Sequence, residues 1–217
     1  MFLSRPLLWW YFRSAWFVTL PAAIAGIVFT VFYTNRLTEL PALAWAFIFA
    51  HSALLAQATS RFDSPAAAFL YTRGFSRDQL WTHRVAAHLL CVAVVWLPAS
   101  LIVWLGLRSS NQDFVVQNPD YPLFRAEDYF VPVGWLVGYL LAMGFVLYAP
   151  IRVAHPTRSR GVGHALAYGG LLAGAVLMNL PMHAVWQSVL AYGSAIAVSI
   201  VLLCGSWRLH RQIEVIP

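Results

Sequence analysis

The side chains with the most chemical potential lie in apolar surroundings: His51 followed by Ser52, then His88, and the cysteines Cys91 and Cys204. Two histidines on different segments could offer imidazole nitrogens to a haem iron or another metal. A Ser beside a His invites comparison with an intramembrane hydrolase. Sequence neighbours point to different angles of a helix, however, and no carboxylate lies within the apolar runs to complete such a site. Neither H-E-x-x-H nor C-x-x-C spacing occurs. His51 stands seven residues and His88 three residues from the same end of their runs. At about 1.5 Å per residue their depths should differ by roughly 6 Å, which makes a shared haem awkward. Each is therefore expected to be a core histidine bonded to a backbone or hydroxyl group, with a haem-binding pair as the alternative. His164 and His183 fall near opposite faces and cannot join that pair, and the cysteines should act as small hydrophobes.

The remaining chemistry is one of charge. All 14 basic residues of the 217 are arginine, set against eight acids, for a net charge of +6. A phosphate-binding Walker A loop needs a lysine, so this chain should hydrolyse no ATP itself. The arginines fall in short segments between apolar runs instead of forming a stripe with interleaved aromatics, which argues against a nucleic-acid partner. The apolar runs also lack the ionisable groups that proton- or sodium-coupled transport usually requires at membrane depth.

These residues must be positioned by membrane helices. Apolar residues make up 60% of the chain and charged ones 10%, where a soluble domain has roughly 25% charged. Six runs free of Asp, Glu, Arg and Lys approach the 20 or so residues that cross a bilayer: 16–33, 40–58, 85–107, 131–149, 163–180 and 185–204. The expectation is an all-α integral membrane protein with six transmembrane helices in a single transmembrane domain, residues 1–217. The Ala23-Ile24-Ala25 triplet mimics a signal-peptidase site, but the apolar run continues to Tyr33, which favours an uncleaved anchor.

Arginine placement orients the spans. One side carries 11 Arg and three acids, a net of +8, and the other three Arg and five acids, a net of −2; the two sum to the stated +6. The positive side should be cytoplasmic, placing both termini inside a cell-membrane protein. Segment 179–186 could be a simple loop or part of a re-entrant hairpin, and the external stretch 108–129 reads as a loop. Trp9, Trp10, Tyr11 and Phe12, between Arg5 and Arg13, suggest an N-terminal interfacial helix with an elbow before the first span. Gly134-x-x-x-Gly138 and Gly170-x-x-x-Gly174 offer close packing faces, within the chain or against a second copy.

The most informative segment is RFDSPAAAFLYTRGFSRDQLWTHR, residues 61–84. Ser64 and Pro65 can start a short helix that Gly74 ends in a left-handed conformation. Ser76 and Gln79 then form a capping box, so a second helix should begin near Arg77 and run unbroken into the third span. This corner would present Arg73, Phe75, Arg77 and Asp78 to a soluble partner, or else lie on the membrane as an amphipathic loop with its arginines as headgroup anchors.

With its six runs, aromatic N-terminus and the local sequence Phe69-Leu70-Tyr71-Thr72-Arg73-Gly74-Phe75-Ser76-Arg77-Asp78-Gln79-Leu80, the chain resembles the type-2 family of ATP-binding-cassette (ABC) transporter permeases. Members often place a proline before the Ser-Arg pair, where this chain has Gly74-Phe75. The resemblance implies an exporter subunit with a cytoplasmic coupling helix, in which Arg73, Gly74, Phe75, Ser76, Arg77 and Asp78 meet a separate ABC ATPase. It also implies a second permease copy or paralogue, ATP bound only on the partner, and no cofactor on this chain. Phe17, Thr19, Phe29, Thr30, Phe32, Trp45 and Ser52 would suit a pathway for an amphipathic or lipid-like substrate. A structural or redox subunit of a larger membrane complex is the alternative.

Overall fold

The computed structural model describes residues 5–33, 41–60, 70, 73–117, 131–154, 169–170, 172–176 and 185–212. All five elements formed from them are helices: α1 (Arg5–Tyr33), α2 (Pro41–Ser60), α3 (Arg77–Gln117), α4 (Val131–Ala154) and α5 (Val185–Gln212). Residues 169–170 and 172–176 are also helical. Helices are what apolar sequence permits in lipid, because each backbone N–H and C=O is satisfied within its own segment.

Four of these helices are long and apolar enough to cross a membrane, over Arg5–Val31, Arg77–Gly106, Val131–Tyr148 and Val189–Arg211, while the apolar part of α2, Leu43–Thr59, is shorter. They give the chain the character of a helical multi-pass membrane protein. Most of the run expected to form a fifth span, 163–180, lies outside the described residues, as do 179–184 of the segment 179–186, whose last two residues begin α5.

Helix α4 forms the centre of the bundle. It packs against α5 on one side and α2 on the other, while α1 lies along α3 and also touches α2. Their shared core brings together Ala15 and Ala23 of α1, Trp45, Ile48 and Leu55 of α2, Cys91 and Val95 of α3, and Tyr139, Ala142 and Phe145 of α4. Large apolar side chains instead face outward on α1 and α5, among them Phe17, Ile24, Val189 and Val201. That inversion is costly in water and natural in lipid.

Two element boundaries differ from the expectation. No elbow separates an interfacial helix from the first span, because α1 runs continuously from Arg5 to Tyr33. Pro6 sits in the first turn, where proline is tolerated, nothing from Leu7 to Trp16 breaks a helix, and Leu7 and Tyr11 are buried against Leu70, Leu80 and Ala87, so the first turns dock on the start of α3. The stretch read as an external loop is helical over 108–117, since α3 continues to Gln117. At 41 residues α3 is about 60 Å long, twice a hydrocarbon core of about 30 Å.

Candidate functional site

The corner before α3 forms as local chemistry dictates. Gly74 has φ +83°, a left-handed value open to glycine without a steric penalty. The Phe75 N–H reaches back to the Leu70 carbonyl at 3.2 Å, and the Arg73 N–H to the same oxygen at 3.1 Å. The first of these is the six-to-one bond of a Schellman ending, with Gly74 in the left-handed position. Its usual apolar partnership is present too, since Phe75 packs in the cluster that contains Leu70. The expected helix start at Ser64-Pro65 lies outside the described residues.

Directly after the corner, the Gln79 N–H donates to Ser76 Oγ at 3.2 Å and the Ser76 N–H donates to Gln79 Oε1 at 2.9 Å. This reciprocal pair is the expected capping box, and it starts α3 at Arg77. Arg73, Gly74 and Ser76 are exposed, while Phe75, Arg77 and Asp78 are half-buried.

The half-burial of Arg77 and Asp78 has a definite cause in the end of α5. Asp78 accepts from Arg211 Nε at 2.8 Å, from Arg211 Nη2 at 2.7 Å and from the Trp207 indole N–H at 3.0 Å. Arg77 Nη1 donates to the Arg211 carbonyl at 2.6 Å, and the Arg211 guanidinium lies 4.6 Å from the Trp207 ring centroid. Asp78 lies in the first turn of α3, where the helix dipole favours a negative charge, and Arg211 in the last turn of α5, where it favours a positive one. One turn further on, the Trp81 indole N–H donates to Ser206 Oγ at 2.9 Å. The corner is thus latched to the far end of the chain.

Arg84 does not mark a polar surface, as charge counting assumed. It is 4% exposed and reaches into the bundle, donating from Nε to Thr59 Oγ1 and from Nη2 to the Ala56 carbonyl, both at 3.2 Å. It therefore ties the start of α3 to the C-terminal turn of α2.

His51 Nδ1 lies 3.2 Å from the hydroxyl of Tyr139 on α4, and its ring stacks on Phe47. His51 Nε2, Ser52 Oγ and both ring nitrogens of His88 are buried without a hydrogen-bond partner among the described residues. The expectation of bonded core histidines thus holds for one nitrogen of His51 and fails for His88. Among the described residues no group of three or more His, Cys, Asp or Glu side chains gathers as a metal site.

The expected pathway residues separate. Phe29 and Thr30 line an apolar cavity of about 270 Å3 between α1, α2, α3 and α4, together with Phe47, Trp96, Trp135 and Tyr139. Thr19 is buried and donates to the Ala15 carbonyl at 2.9 Å. Trp45 is buried beside Gly174, where an added Cβ would overlap its indole. Ser52 is buried but does not line the cavity, Phe17 faces outward at 84% exposure, and the Phe32 side chain lies outside the described residues. Sequence reading missed Trp207, Arg211 and Tyr139; Asp78, the acid in the first turn of α3, offered the only signal, as a carboxylate in need of a cation.

Compared with known proteins, the chain matches no family model, and neither a curated protein nor a solved structure matches it.

Proposed function

We propose that this chain is the membrane-spanning permease subunit of an ATP-driven exporter, energised by a separate cytoplasmic ABC ATPase. In this reading six helices cross the cell membrane, both termini are cytoplasmic, and two permease subunits pair. The observation that carries the proposal is the Gly74 corner. It is a rigid turn whose exposed edge offers Arg73 and Ser76, joined without a break to a helix that runs through the bundle.

A push on such a corner moves α3 as a rod, and the Asp78–Arg211 latch carries the displacement to α5. The chain's role is mechanical: it binds no nucleotide, and substrate passes between the paired subunits. The cavity lined by Phe29 and Thr30 suits the apolar part of an amphipathic substrate.

Affinity purification from native membranes tests this directly. The intact chain should retain a cassette ATPase, and Arg73→Glu should lose it while still inserting in the membrane, because an acidic side chain at an exposed contact reverses the local charge. Recovery of unrelated membrane subunits, or unchanged stimulated ATP turnover by Arg73→Glu in reconstituted vesicles, would refute the proposal.

One observation favours a second reading, a redox subunit that holds haem. Among the described residues His51 has one nitrogen oriented by Tyr139 and the other unpartnered, as an axial ligand would, and His88 has both unpartnered. A Soret band in protein purified from native membranes is the outcome this reading requires.

A further inference from the structure

The first half of α1 carries a crevice on the face turned away from α3. Trp9, Phe12, Arg13, Trp16 and Phe17 line a cavity of about 300 Å3 there. Their spacing of three and four residues puts them on one side of the helix, opposite the buried Leu7, Tyr11 and Ala15. Arg5, also exposed, stands one turn before Trp9. Beyond Phe17 the same face continues as exposed Leu20 and Ile24, which are wholly apolar.

The charges on this face are unanswered. Neither Arg5 nor Arg13 makes an ion pair or hydrogen bond among the described residues, and α1 contains no Asp or Glu at all. The indole N–H groups of Trp9 and Trp16 likewise have no partner there, although both rings pack against Phe12. A guanidinium at the end of a lipid-facing apolar stripe belongs at headgroup level, where Trp also concentrates. It presents five donors in a planar fork that matches a phosphate, and the two indoles add two more.

We propose that this crevice is a binding site for an anionic phospholipid. Arg13 takes the phosphate, Arg5 supplies the second positive charge that favours a net-negative headgroup, Trp9 and Trp16 flank the glycerol region, and an acyl chain runs along Phe17, Leu20 and Ile24. Charge complementarity selects the occupant: a zwitterionic headgroup would bring its own cation against two arginines on a helix that has no carboxylate to receive it. The site is independent of the ATPase reading, since it requires only that α1 meet lipid.

Native mass spectrometry of the full chain in detergent, titrated with phosphatidylglycerol or phosphatidylcholine, tests the site. Phosphatidylglycerol should be retained preferentially, and Arg13→Gln should weaken its retention about five-fold, as expected for one arginine at a membrane surface. Arg208→Gln removes the same charge from an exposed position on α5 that lacks the aromatic crevice, and should leave retention unchanged. Equal retention of phosphatidylcholine, or an equal loss with Arg208→Gln, would overturn the proposal. So would efficient disulfide cross-linking of Phe17→Cys between two copies, because a second chain would then cover this face.

Discussion

The Gly74 corner can be challenged with a single side chain. Its φ of +83° costs an L-residue about 1–2 kcal/mol, while replacing glycine restricts the unfolded chain and returns about 0.4–1 kcal/mol. A Cβ built at Gly74 meets no atom within 4 Å, so no packing clash enters the balance. Gly74→Ala should therefore destabilise the turn by about 1 kcal/mol, roughly five-fold in its opening equilibrium. Gly74→Val should cost more because of its branched Cβ, whereas Gly74→Asn should stay close to the parent, since asparagine visits the left-handed region. Hydrogen exchange of the segment around Phe75, whose N–H closes the Schellman bond, reads this opening directly. If Asn slows or speeds exchange as Val does, or if Ala leaves it unchanged, then backbone conformation is not what makes glycine necessary here.

Three further outcomes follow from the packing. Asp78→Asn should lower the unfolding midpoint at pH 7 relative to the parent. Arg211→Gln removes the same contact from its other side, so the double variant should lose less than the sum of the two single losses. Additive losses would contradict the latch. Gly174→Leu should destabilise by about 1–3 kcal/mol through overlap with Trp45, and Trp45→Leu in the same chain should recover part of the loss in thermal unfolding; independent, additive losses would refute the contact. His88→Leu, which removes two unpartnered buried nitrogens at similar volume, should be neutral or stabilising by about 1–3 kcal/mol; a large loss would show that a ligand occupies those nitrogens.

Much of the corner was legible because its signals are local. Glycine before a capping box specifies a turn and a helix start within six residues, and the structure forms both at Gly74 and at Ser76–Gln79. Other boundaries were less legible, because charge and polarity mark the membrane and not the helix. Arg13 interrupts apolarity without interrupting α1, and Arg108 does the same in α3. Arg84 shows the converse error, since a charge taken as a surface marker lies buried against Ala56 and Thr59.

Composition and hydrophobic run length alone determined that this chain is helical and suited to lipid, since long uncharged segments can satisfy their backbone only as helices there. The tertiary structure decided which polar groups meet. Asp78 finds Arg211 across 133 residues, Arg84 finds the end of α2, and Phe29 and Thr30 share a cavity wall that Trp45 and Phe17 leave. Such pairings depend on the rotation and depth of helices packed side by side. A hydrophobic pattern that is apolar on nearly every face does not encode either one.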